Sequence, residues 1–189
     1  MSNYGLTENT DIDRIINEVV DCLGGGKYAR CLLREIANAE TGMGTIKDTT
    51  RGCGMGIVQF DEIGFDDVKD RTRRKHKKAV LNKFNININN VEWEDLRYSP
   101  LIGFIFCRLK FKLIPDAIPH TMEGRAGYWK KFYNTEAGKG TIKHYMVMQR
   151  GEDERQRRKQ AHKIIANLEA DKFKISQLIA QIKASLENV

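Results

Sequence analysis

No stretch of this 189-residue chain is apolar for long enough to cross a bilayer. The longest such run, Leu101 to Cys107, has seven residues including Gly103, against about 20 for a spanning helix. The opening residues, MSNYGLTENTD, have neither a basic n-region nor an apolar h-region, so no secretory signal peptide is expected. Cysteine is sparse and unpatterned. Cys22, Cys31, Cys53 and Cys107 are 9, 22 and 54 positions apart, which fits neither paired zinc ligands nor a compact disulfide framework, so they read as thiols of a protein made in a reducing cytosol. Cys53 lies in a glycine turn, but no His stands near it in sequence to activate it as a nucleophile.

Charge, by contrast, is plentiful: 30% of residues are charged and 41% hydrophobic, a balance that excludes a disordered chain. The net charge of +7 is concentrated between Lys69 and Lys83, where eight Lys or Arg face one Asp and the remainder nets to zero. Such a run is most often a solvated helix face. Its functional readings are attraction to cell-wall polymers, lipopolysaccharide phosphates or nucleic acid. Nucleic acid ranks last, because neither a binding motif nor interleaved aromatics accompany the charges.

Ile12, Ile15, Ile16, Val19, Val20 and Leu23 repeat at steps of 3 and 4. They predict a helix to about Leu23, opened by a capping box at Thr10 to Asp13 and ended by Gly24 to Gly26. The next helix, Tyr28 to Glu40, presents Ala29, Leu32, Leu33, Ile36 and Ala37 on one face, and Glu40 continues that stripe. A lone Glu at a helix end usually turns to water. One held on an apolar face has its charged form desolvated, which suits a proton donor. Thr41 to Met55 lacks helical period and reads as a loop or short hairpin. Asp61 to Arg73 predicts a helix with Phe65 and Val68 inward, and Phe84 to Asn90 alternates as a strand or an Asn-rich loop. Ser99-Pro100 starts the most apolar helix, Leu101 to Leu113. Tyr128 to Tyr133 forms another, with Trp129 and Phe132 in the core.

Three blocks stand in order: Ala39-Glu40-Thr41-Gly42, then Gly54-Met55-Gly56-Ile57-Val58-Gln59-Phe60, then Tyr133-Asn134-Thr135 running into Gly138-Lys139-Gly140-Thr141. Together they resemble the lysozyme-like superfamily, soluble lytic transglycosylase type, and most of all its phage-encoded peptidoglycan-cleaving proteins. The likeness covers about residues 10 to 150. It implies a mainly α, lysozyme-like α+β domain over residues 1–150, with a small β or loop region walling a sugar cleft. It implies Glu40 as catalytic acid, with Gln59, Phe60, Tyr133 and Asn134 binding substrate, and neither metal nor cofactor. The usual Tyr-Asn-Ala-Gly is replaced here by Tyr133-Asn134-Thr135-Glu136. A two-carboxylate lysozyme would recruit Asp48 or Asp61, whereas a transglycosylase needs only the one acid.

The implied reaction is cleavage between N-acetylmuramic acid and N-acetylglucosamine in peptidoglycan glycan strands, by a protein made in the host cytoplasm, carried in a virion and acting on the host wall. Residues 151–189 read as a basic linker and heptad helix. Ala161, Ile165, Leu168, Lys172, Ile175, Ile179, Ile182, Leu186 and Val189 alternate in steps of 4 and 3. That register fits a homo-oligomer, docking to other virion proteins through residues 161–189, or a helix folded back on its own domain. A different class of reading is a non-catalytic structural virion component that keeps the fold and assembles through this helix.

Overall fold

The computed structural model describes residues 3–47, 54–135 and 138–187; Asp48 and Cys53 lie outside them. Seven α-helices carry the described fold. α1 (Ile12–Leu23) is capped by Asp11, whose side chain accepts from the Arg14 N–H at 2.9 Å. The cap expected at Thr10 falls one residue late, because the Thr10 hydroxyl accepts from Thr7 N instead. α2 (Gly26–Thr41) buries Ala29, Leu32, Leu33, Ile36 and Ala37, the stripe the spacing predicts. It stops at Gly42, whose φ of 55° is the left-handed conformation that suits a residue without Cβ.

α3 (Glu62–Arg71) opens on Asp61, which accepts from Gly64 N at 2.6 Å, and turns Phe65 and Val68 inward. The basic run becomes α4 (Arg74–Phe84), with Val80 as its buried anchor. The alternation after it is not a strand. Asn85 adopts φ 55° and terminates α4, and the Asn87 side chain accepts from Asn89 N to open the 3-10 turn Ile88–Asn90. The tolerance of Asn for left-handed backbone and for local side-chain turns outweighs the period of two. A second 3-10 turn spans Trp93–Arg97.

The small β region also takes another form. Among the described residues there is no strand, only an isolated antiparallel bridge between Met55 and Phe60. Gly56 at φ 74° and Gln59 at φ 48° close the chain within one turn, too short a span for a ladder. The described fold is therefore mainly helical.

α5 (Pro100–Leu113) is the central helix, capped by Ser99 on Ile102 N. It packs against α1, α2, α3 and the Trp93–Arg97 turn. Phe104 and Phe106 are fully buried, Phe106 stacking on Phe65 with ring centroids 4.3 Å apart. Each such ring contributes about 2–3 kcal/mol through burial. α6 (Met122–Trp129) runs on into a single π turn, Lys130–Asn134, a local widening often found at functional sites.

α7 spans Ile142–Glu187. The chain divides inside it into two compact units, Met1–Gln149 and Arg150–Val189. In the second unit the segment expected as a basic linker is helical, held by intrahelical pairs: Arg155 on Glu152 at 3.0 Å and Arg158 on Glu154 at 2.5 Å. Such pairs add about 0.2–0.5 kcal/mol each. Ile165, Leu168, Ile175, Ile179 and Ile182 are between 49% and 63% exposed, leaving the heptad seam in water.

Candidate active site

Glu40 sits in the last turn of α2, partly buried, and its Oε1 accepts the indole N–H of Trp129 at 2.9 Å. Trp129 is itself 1% exposed, so the donor arrives from the core and fixes where the carboxylate lies. His144, from the first turn of α7, places its Nε2 2.9 Å from the Ala39 carbonyl. A backbone carbonyl can only accept, so that nitrogen carries the proton, and His144 satisfies one of the end carbonyls of α2.

The turn bearing Gln59 is held from two sides, by the end of α2 and by the π turn. Thr41 Oγ1 donates to the Ile57 carbonyl at 2.7 Å, and Tyr133 Oη donates to the Val58 carbonyl at 2.8 Å. Gln59 is half-buried, and its Nε2 donates to Gly56 O at 2.8 Å, which completes the turn from within. Tyr4 Oη lies 3.4 Å from the same amide nitrogen.

Phe60 corrects the expectation that it contacts substrate. It is 1% exposed, edge-on to Phe106 and Tyr133, and is a core side chain beneath the turn. Tyr133 is buried as well, stacked on Phe111 with Lys110 Nζ 5.2 Å from its ring centroid. Burial holds the Tyr133 phenol well above its ordinary pKa, and the nearby Glu40 carboxylate acts in the same direction. It stays a neutral donor and acts as a strut. Burial also pushes the Cys107 thiol up to about 12, which removes it as a nucleophile.

Asn134, half-buried, closes the π turn. Lys130 Nζ ties its Oδ1 at 2.9 Å together with the carbonyls of Thr135 and Gly138. Gly140 packs so closely that a Cβ there would stand 2.6 Å from Trp129 Cη2 and 2.7 Å from Asn134 Nδ2. The third sequence block thus braces the indole that holds Glu40. Asp61 is occupied as the cap of α3 and pairs with Lys110 at 3.6 Å.

One cluster is absent from the candidate residues read from the sequence. Glu35, buried on α2, meets Arg125 of α6 through two hydrogen bonds of 2.6 and 2.7 Å and accepts from Tyr145 Oη at 2.7 Å. Gln149 Nε2 donates to the Glu35 carbonyl and Asn38 Nδ2 to Gln149 Oε1, which fastens the first two turns of α7 onto α2. The hydrogen bond to Glu35 holds the Arg125 pKa above its ordinary value. A signal existed in the buried helix spacing of Glu35 and Asn38 beside Leu32 and Ile36. The partners, 90 and 110 residues away, had none.

Compared with known proteins, the chain matches no protein-family model, no curated protein and no solved structure.

Proposed function

We propose that the chain is a peptidoglycan-cleaving glycosidase, a muramidase or lytic transglycosylase, in which Glu40 protonates the oxygen leaving between N-acetylmuramic acid and N-acetylglucosamine. The observation that carries this reading is the 2.9 Å contact fixing the Glu40 carboxylate on the Trp129 indole, beside the turn anchored by Thr41 and Tyr133. In the transglycosylase course the deprotonated Glu40 then accepts the O6 proton of muramic acid as O6 attacks C1, which gives a 1,6-anhydro product. The amides of Gln59 and Asn134 supply donor and acceptor groups for hydroxyl and acetamido substituents. Phe60 and Tyr133 shape the site from below. The setting consistent with the three-block resemblance is a phage protein, made in the host cytoplasm and carried in the virion to open the wall at infection.

Isolated sacculi digested with wild type and Glu40→Gln, with released muropeptides weighed by mass spectrometry, test this. The expected loss is about 10²- to 10⁴-fold, the range for removing a general acid. Background release by both proteins would end the enzymatic reading.

The exposed seam of Ile165 to Ile182 favours a second reading, a non-catalytic virion component that assembles through its C-terminal helix. Isoleucine at both core positions of the heptad, Ile175 and Ile182 at one and Ile179 at the other, favours three or four parallel strands over two. Light scattering on the full chain would then give a multiple of 21.7 kDa, reduced to one chain by Ile175→Asn. A single-chain mass for wild type at high concentration would remove the assembly role.

A further inference from the structure

The basic run has a feature that a solvated helix face does not require. Where α3 gives way to α4, a cavity of about 200 Å³ is lined by Thr72, Arg73, Lys75 and His76 on one side and by Leu109, Lys112 and Leu113 of α5 on the other. No carboxylate lines it. Among the described residues, Arg73, Lys75 and Lys112 form no ion pair. Thr72 is 6% exposed and its Oγ1 is buried with no hydrogen-bond partner, an arrangement that is costly unless a ligand or water satisfies it. α4 starts there without a side-chain cap, so its first N–H groups and the positive end of its dipole point out of the same corner. Uncompensated cations, an orphan hydroxyl and an uncapped helix start converge on one small volume.

We propose that the α3–α4 corner is a phosphate-binding site. One phosphate group sits at the start of α4, accepts from the Thr72 hydroxyl and the first amides of the helix, and is neutralised by Arg73, Lys75 and Lys112. The helix start supplies the anion geometry, the Arg supplies a planar fork, and Leu109 and Leu113 form an apolar wall that limits water. Burial and the mutual repulsion of Arg108, Lys75, Arg73 and Lys112 keep the His76 and Lys112 pKa values below their ordinary values. A bound anion would relieve that repulsion. The site shares no lining residue with the Glu40 region and does not depend on the glycosidase reading.

The test uses the full chain with inorganic phosphate as probe, against chloride at equal ionic strength, and follows backbone amides and the His76 ring by NMR. The expected result is saturable shifts at Thr72 to His76, with the His76 pKa rising as phosphate binds. Lys112→Gln should weaken binding about tenfold, and Thr72→Val by a similar factor if it folds. Lys78→Gln, which removes the same charge from α4 outside the cavity, should change it less than twofold. Equal weakening by Lys78→Gln and Lys112→Gln, or shifts that chloride reproduces, would overturn the proposal. Glycerol 1-phosphate and glycerophosphoglycerol then separate the sources. Preference for the first assigns a terminal phosphomonoester, and equal binding assigns the diester of a polymer; either upholds the site. Glu40→Gln should bind phosphate as wild type does, so loss of one function leaves the other standing.

Discussion

Glu35 and Glu40 lie five residues apart on α2, yet their surroundings differ in kind. Glu35 is answered in the interior by a bidentate guanidinium and a phenol, whereas Glu40, at the partly buried helix end, is positioned by an indole N–H. A carboxylate locked into a bidentate ion pair cannot give up that pair without stranding a buried cation. The same helix therefore carries one acid built into the core and one at its partly buried end, the one that the proposed function makes the proton donor.

Exchanging each acid for its amide is the sharpest way to break this contrast. Glu40→Gln carries the largest expected effect, the 10²- to 10⁴-fold loss of glycan cleavage given above, with the unfolding midpoint in denaturant nearly unchanged. Glu35→Gln should do the opposite, costing about 3 kcal/mol of stability in equilibrium unfolding. That figure is the low end for breaking a buried pair, because Arg125 also donates to the Pro119 and His120 carbonyls. Should Glu35→Gln abolish cleavage while leaving stability intact, the roles assigned to the two acids would be reversed.

Tyr145→Phe is milder. The ring is fully buried and stays, tilted against Trp129 with centroids 5.1 Å apart. The lost hydrogen bond to a charged acceptor should cost about 1.5 kcal/mol. Cleavage per folded molecule should be unaffected, and a matching drop in both would mean that the Glu35 cluster reaches the Glu40 end.

How far these two environments could be read in advance follows from their range in sequence. The apolar stripe that carries Glu40 is local, and so are the Ser99 cap and the glycine stop after Leu23; the cap expected at Thr10 sits at Asp11, and the helix expected from Tyr128 starts at Met122 under a Thr121 cap. The three-block resemblance puts Phe60 with the substrate beside Gln59. Yet a left-handed residue at Gln59 turns the chain, so that Phe60 points back under it. The alternation at Phe84 to Asn90, which fits a strand or an Asn-rich loop, resolves to the second for a similar reason: asparagine makes turns that the hydrophobic pattern does not register. The Glu35 cluster depends on α6 and α7 folding back from residues 125 to 149, and no local pattern encodes which buried acid will meet which distant cation. The bare corner at Thr72 was hidden in the same way, inside a charge run that looks uniform until α5 closes over one end of it.

The smallest expected effect probes the brace behind Glu40 without touching either acid. Gly140→Ala adds a methyl that would stand 2.6 Å from Trp129 Cη2 and 2.7 Å from Asn134 Nδ2, both inside contact distance, so either the 138–141 segment lifts or the indole shifts. Thr141 is exposed and Gly138 and Gly140 are only partly buried, so lifting the segment costs little, and stability should fall by under about 1 kcal/mol. The indole reports the difference. If it moves by a few tenths of an ångström, its 2.9 Å hold on Glu40 loosens, and kcat should fall roughly fivefold to tenfold with KM unchanged, because positioning of the acid and not glycan affinity is what suffers. Among the described residues the hydrogen bonds of Glu35 and Arg125 go to each other and to Pro119, His120, Tyr145 and Gln149 and not to this segment, so Gly140→Ala and Glu35→Gln should add in stability within about 0.5 kcal/mol. A rise in KM at constant kcat would instead make the Gly138 to Thr141 segment a wall of the groove, leaving the indole's grip on Glu40 to be tested by Trp129→Phe.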